Sequence, residues 1–251
     1  MSHHFVECED VHYAYPDGKK ALNGINFRIN HGEAVGVVGA NGAGKSTLLN
    51  ILLGVVFPSK GEVNVGDIPL SKKTLPLIRQ RIGLVFQDAD DQLFMPTVYD
   101  DVAFGPRNYK LEEKEVERRV IKALETVGIL HLKDRPPYKL SGGEKRAAAI
   151  ATVLSMEPDI LIMDEPTTAL DPKSRRRLIN LLKEFSHTRI IATHDMDMVW
   201  ETCERTIIIN EGIIVADGLT KDILSDEKLL DKCSLELPFS IQNCPICGAK
   251  K

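Results

Sequence analysis

No run of apolar residues in this 251-residue chain approaches the roughly 18–20 that a helix needs to span a bilayer. The first ten residues also lack an apolar signal core. The expectation is a chain made and kept in the cytoplasm, peripheral at the cytoplasmic face of the cell membrane, with any membrane role carried by partner proteins. Excess positive charge is missing too. The 32 Lys and Arg against 36 Asp and Glu give a formal net charge of −4, whereas a nucleic-acid binder is usually basic, so no nucleic-acid partner is expected. Five cysteines (Cys8, Cys203, Cys233, Cys244 and Cys247) make no disulfide framework in a cytosolic chain. Internal repeats, low-complexity linkers and heptad arrays are absent from the sequence.

What is present suits a globular α/β protein. Hydrophobic residues make up 43% and charged residues 27%, an ordinary balance, and the length fits one large domain with a short tail. Strand-like runs at residues 5–15 and 21–29 flank a Pro16-Asp17-Gly18 turn. An apolar run at 33–38, a Gly-rich loop and a helical run at 45–53 follow, and 61–65 and 81–86 read as further strands. Between about 93 and 155 the character turns helical, with Val116, Val120, Leu124 and Val127 at helical spacing in 112–127 and a second helix from about Ser141. Alternation then resumes: strand 159–163, helix 172–185, strand 189–193, helix 196–203 and strand 206–209. Such alternation predicts a parallel sheet covered by helices, interrupted here by a helical insert.

The residues Gly39, Ala40, Asn41, Gly42, Ala43, Gly44, Lys45, Ser46 and Thr47 match G-x-x-x-x-G-K-[ST] in full. They follow an apolar strand and open a helix, the context this phosphate-cradling loop requires. Its glycines let backbone N–H groups turn inward, and the helix N-terminus adds a partial positive charge. Lys45 would meet the β- and γ-phosphates, Ser46 would ligate Mg2+, and Thr47 would approach the α-phosphate. No Asn-Lys-x-Asp guanine-reading motif occurs, which favours adenine and hence ATP.

Residues 160–163 form an apolar run that ends in Asp164-Glu165. Ligands sit at the carboxyl ends of strands in an open α/β sheet. Asp164 would hold Mg2+, directly or through water, and Glu165 would polarise the attacking water. Ser141 and Glu144 form an S-x-x-E capping box. Capping does not explain Gly142 and Gly143 between them, because glycine weakens helices, whereas close approach of an anion to that backbone would.

Leu140-Ser141-Gly142-Gly143-Glu144 resembles the signature sequence of ATP-binding-cassette proteins, which usually carry Gln where this chain has Glu144. The resemblance implies a P-loop NTPase fold: a RecA-like parallel-sheet core, an N-terminal antiparallel β subdomain and an inserted helical subdomain. It spans about residues 5–225, with the insert at about 93–155 and a short tail at 226–251. It also implies a head-to-tail dimer, of two identical chains or of two related ATPases, in which Ser141, Gly142, Gly143 and Glu144 face ATP held by the other copy. Other family elements match in order. Tyr15 resembles the aromatic residue that stacks on adenine, with Tyr13 as competitor. Gln87 resembles the glutamine that reaches Mg2+ and the attacking water. Asp171 resembles the aspartate of the loop after the acidic pair and also reads as a helix N-cap before Pro172. His194 resembles the switch histidine at the γ-phosphate.

The stretches 85–94, 96–98 and 101–106 look like those of energy-coupling-factor ATPases, and 135–146 and 192–197 look most like the cobalt/nickel branch. That likeness implies uptake of cobalt or nickel ions through a transmembrane coupling (T) subunit and a substrate-binding (S) subunit. Vitamin uptake or another cargo remains the alternative. A non-transport cassette acting on ribosomes or DNA fits less well, since those carry paired cassettes or long coiled coils. Asp88, Asp90 and Asp91 are candidates to meet arginines of the membrane subunit. In the tail, Cys244-Pro245-Ile246-Cys247-Gly248 matches a metal-binding knuckle that supplies two of the four ligands a structural Zn2+ needs. Cys233, Cys203 or a second copy could supply the others.

Overall fold

The computed structural model describes residues 5–185 and 187–242. The chain divides into two compact units, one formed by Met1–Arg81 with His187–Lys251 and the other by Ile82–Ser186.

In the first unit, β1 (Val6–Ala14) and β2 (Lys20–Ile29) pair antiparallel around the expected turn. Alternation sets their inner face: Val6, Cys8 and Val11 on one strand and Leu22, Ile25, Phe27 and Ile29 on the other are buried. Next comes β3 (Ala34–Val38), buried at every residue, and then α1 (Lys45–Leu52). β4 (Lys60–Val65) and β5 (Ile68–Pro69) complete an antiparallel sheet of order β2-β1-β4-β5, and α2 (Leu75–Arg81) closes this stretch.

The second unit opens with β6 (Ile82–Val85), followed by α3 (Val98–Asn108), α4 (Glu113–Thr126) and α5 (Gly142–Leu154). Then β7 (Ile160–Asp164) pairs in parallel with β6, and α6 (Pro172–Glu184) ends the unit. All three helices α3–α5 lie between residues 93 and 155. On α4, Val116, Val120 and Leu124 are buried as the periodicity predicts and Ala123 joins them, while the expected Val127 is the half-buried C-cap and the other face is charged.

The chain then returns to the first unit through β8 (Thr188–Ala192), α7 (Met196–Thr202) and β9 (Arg205–Asn210). β8 and β9 flank β3 in parallel. All of β3 and β8 is buried, as a strand covered on both faces must be. The fold is thus mixed α/β, with one antiparallel sheet and parallel pairing at the core of the other strands.

Several elements have no counterpart in the sequence reading. β10 (Ile213–Leu219) pairs antiparallel with β9; it opens on the apolar run 213–216, yet none of its residues is buried. α3 continues through Gly105 and Pro106, residue types that weaken a helix interior. Its start is fixed by Thr97, whose side chain accepts from the Asp100 N–H at 3.1 Å, and a Cβ at Gly105 would collide with Met156. The tail, expected to lose regular structure after about 226, holds the short α9 (Glu227–Lys232) after α8 (Thr220–Leu224). Asp226 caps α9, and Leu230 is its single buried anchor, too little for a periodic signal.

Candidate active site

In the first unit the loop 39–47 joins β3 to α1. Gly44 sits at φ 114°, a conformation L side chains rarely adopt, and a Cβ there would lie 2.7 Å from the Ala21 carbonyl oxygen and 2.9 Å from a Leu22 methyl. Only glycine therefore lets the loop turn tightly into α1 beneath β2. The Gly212 N–H donates to the Ala43 carbonyl at 3.0 Å, and the Asn23 N–H donates to the Gly212 carbonyl at 2.8 Å, which ties loop, β2 and the β9–β10 turn together.

Lys45 is only 7% exposed, and its ammonium donates to the carbonyl of Gly39 at 2.7 Å and of Ala40 at 3.2 Å. The ammonium is therefore folded back over the loop's entrance. Ser46 is exposed and Thr47 is buried. The Tyr15 hydroxyl bonds the Thr47 hydroxyl at 2.9 Å, and Tyr13 meets the Tyr15 ring edge-on at 5.2 Å between centroids. Of the two tyrosines, Tyr15 is the exposed one, at 39%. The register Val37↔Ala192, continued by two residues along both parallel strands, sets His194 abreast of Gly39 at the carboxyl edge. The Asp195 carboxylate caps α7 by accepting from the Met198 N–H at 2.9 Å, which fixes the turn carrying exposed His194.

In the second unit Val85 pairs with Met163, so the segments that carry Gln87 and Glu165 both leave the carboxyl edge of the same parallel pair. Asp164 ends β7 half-buried; Glu165 is 9% exposed and held at φ 43°. A left-handed non-glycine residue at a strand end is a local strain of the kind found at functional sites. Each unit by itself offers oxygen donors of the hard kind Mg2+ prefers: the exposed Ser46 hydroxyl in the first, and the Asp164 carboxylate and the Gln87 amide oxygen in the second.

The signature turn is a complete capping box. The Ser141 N–H and hydroxyl both donate to the Glu144 carboxylate, at 2.8 and 2.9 Å, and the Glu144 N–H donates back at 3.4 Å. The Ser141 N–H, and then its hydroxyl, hold the Glu144 carboxyl below the usual range. The stabilisation this gives is present above the ordinary Glu pKa and is lost as pH falls through the lowered one. The two glycines separate in role. A Cβ on Gly142 would meet only the Ala169 carbonyl, at 3.7 Å, leaving that backbone open. A Cβ on Gly143 would collide with the Cβ and hydroxyl of Ser174. Ser174 in turn donates to Asp171 at 2.5 Å, and Asp171 accepts from the Lys173 and Ser174 N–H groups at 3.0 and 3.1 Å, capping α6 as the sequence suggests. The Ser174 hydroxyl above all holds the Asp171 carboxyl low. Gly143→Ala should therefore cost about 1–3 kcal/mol through overpacking. A shifted denaturant midpoint would report it, and Ser174→Gly in the same chain should recover most of the loss.

The acidic loop is partly self-occupied. Asp88 accepts from the Asp90 N–H at 2.9 Å, and Asp90 pairs with Lys145 at 2.6 Å, so Asp91 is the most open of the three. Beside it, Phe94 (64% exposed) and Phe104 (45%) meet edge-to-face at 5.0 Å. Sequence reasoning missed Arg146, whose guanidinium donates to the carbonyls of Phe86, at 2.5 Å, and Gln87. A charge just ahead of the alanine run 147–149, on a face that must be buried, was the available signal.

Cys244 and Cys247 lie outside the described residues. Cys203 and Cys233 are buried, and burial pushes the Cys203 thiol up to about 11, away from the thiolate that zinc requires. Among the described residues no group of three or more His, Cys, Asp or Glu is placed to hold a metal. No helix of the described residues is long and apolar enough to cross a membrane.

The family model described as ABC transporter matches residues 22–168. A Geobacter sulfurreducens protein named for the ATP-binding protein of an ABC transporter is 62% identical, over 99% of this chain and 100% of its own length. A Methanothermobacter thermautotrophicus protein named energy-coupling factor transporter ATP-binding protein EcfA is 47% identical, over 93% of this chain and 76% of its own. Among solved structures, CbiO1 of Clostridium perfringens, described as part of the ABC transporter complex CbiONQ, superposes with a TM-score of 0.82 at 43% identity. That match covers 90% of this chain and 93% of CbiO1.

Proposed function

The chain belongs to the ABC transporter family, as an ATPase coupled to transport, and we propose that it powers cobalt or nickel uptake in an energy-coupling-factor importer. The observation that carries the hydrolytic part is the parallel pairing of β6 with β7, whose shared carboxyl edge leads into Gln87 on one strand and Glu165 on the other.

Residues 5–225 form the ATP-binding domain in this reading, with the helical insert at 93–155 and the tail at 226–251. Tyr15 stacks on adenine while its hydroxyl stays on Thr47. Residues 39–47 wrap the phosphates, and Lys45 transfers its ammonium from the loop carbonyls to the β- and γ-phosphate oxygens. Ser46, Gln87 and Asp164 would hold Mg2+, which would supply charge neutralisation at those oxygens. Gln87 orients the attacking water and Glu165 accepts its proton, while His194 contacts the γ-phosphate. Ser141, Gly142, Gly143 and Glu144 contact ATP held by a second cassette, identical or related, and Asp171 lies at that dimer contact. Gly142, with open space over its backbone, gives an anion its approach.

The T subunit docks beside the glutamine loop, its arginines on Asp91 and the free edge of Asp88 and its apolar residues on Phe94 and Phe104. Cargo crosses through the S and T subunits. Resemblance in 135–146 and 192–197, together with the likeness to CbiO1, supports cobalt or nickel over a vitamin. A Zn2+ site shared between two tails through Cys244 and Cys247 belongs to the same proposal. The test is uptake of cobalt and nickel ions by cells lacking this chain. Uptake should be lost, restored by the wild-type chain and not by Glu165→Gln. Normal metal uptake with lost vitamin uptake would transfer the reading to a vitamin importer.

A further inference from the structure

Arg146, in the second turn of α5, is 4% exposed. Two of its guanidinium nitrogens donate to the carbonyls of Phe86 and Gln87, and its buried Nε–H has no acceptor among the described residues. No carboxylate among the described residues forms an ion pair with it. Burial lowers its pKa, with Asp88 the only charge pulling the other way. A buried cation without a counter-charge costs stability. The two carbonyls it meets are neutral acceptors and supply no counter-charge to offset that cost. Stability therefore does not explain Arg146.

Geometry does. The guanidinium fork is planar and rigid, so gripping two successive carbonyls fixes both peptide planes that flank the Gln87 Cα. The rest of the segment is strapped to the same helix. Gln92 accepts from the Phe86 N–H at 3.1 Å and donates to the Ala149 carbonyl at 2.8 Å and the Thr152 hydroxyl at 2.7 Å, and Lys145 pairs with Asp90. Of these links, only Arg146 holds Gln87 itself.

We infer that Arg146 is a positioning residue for Gln87, fixing the direction in which that side chain leaves β6 and making residues 86–87 move as one body with the signature turn 141–144. This rests on the reading that Gln87 and the signature turn act on ATP. Any displacement of the turn by nucleotide is then delivered to Gln87, and the reverse, without passing through the loop between them.

The test uses the full-length chain with Arg146→Met and Arg146→Lys, each alone and combined with Gln87→Ala, reading kcat, KM for ATP and the thermal midpoint. Arg146→Met should lower kcat about 10-fold or more, since small misplacements cost that much, with KM within about twofold. Its thermal midpoint should hold or rise, because an uncompensated buried charge is gone. Arg146→Lys, which keeps the charge but not the fork, should fall between. With Gln87→Ala present, Arg146→Met should change kcat less than about twofold. An equal loss of kcat in that background, or a fall in midpoint matching the fall in kcat, would overturn the inference. So would a Gln87→Ala chain with full kcat, while hydrolysis at Glu165 would stand or fall on its own variant.

Discussion

Replacing Glu165 by Gln should lower ATP turnover by at least about 100-fold, the range a general base supplies, while Mg-ATP binding persists. The substitution keeps the volume of a side chain that is 9% exposed and removes only its capacity to take a proton. Glu165 follows β7 at the carboxyl edge that β7 shares with β6, the strand leading to Gln87, and is held at φ 43°. With hydrolysis blocked and binding intact, ATP should hold the signature turn of one copy against the phosphate loop of another. The variant should therefore elute as a dimer in Mg-ATP and as a monomer without it. Turnover equal to wild type would remove Glu165 as the base.

The parts of this site that were legible in the sequence are those written locally. Residues 39–47 carry their meaning in nine consecutive positions, because a backbone curl, a helix start and one lysine are all set within a single turn. The S-x-x-E box at Ser141–Glu144 and the Asp171 cap are equally short-range, and both form as their spacing implies. The Gly142-Gly143 pair was half legible. An open backbone at Gly142 agrees with anion approach, but Gly143 answers to Ser174, which lies 31 positions away and leaves no mark on the turn's own sequence. Arg146 shows in the sequence only as a charge ahead of an alanine run, and its role does not, because its partners are 59 and 60 residues upstream and only packing brings them together. Tyr15 was found by resemblance, whereas its tether to Thr47 across 32 residues needed the fold. Strand β10 was legible in the apolar run 213–216, although the Asp217-Gly218 that follows breaks the run.

Lys45→Met should weaken Mg-ATP binding by about 100-fold. Charge-assisted hydrogen bonds are worth about 1.5–3 kcal/mol each, and the ammonium has two phosphates within its reach. The fold should survive, because methionine preserves most of the apolar stem of a side chain that is 7% exposed. The Gly39 and Ala40 carbonyls, which the ammonium occupies at 2.7 and 3.2 Å, lose that donor in both the free and the ATP-bound variant, so the shift that ATP produces still reports binding alone. Ligand stabilisation separates affinity from folding. At ATP equal to about 100 times the wild-type Kd, binding stabilises the wild type by about 2.7 kcal/mol. A Kd raised about 100-fold leaves the variant only about 0.4 kcal/mol at the same concentration. The two chains should therefore melt together without nucleotide and apart with it. If ATP raised both midpoints equally, Lys45 would not touch the phosphates, and the loop would be a turn that carries a lysine by coincidence.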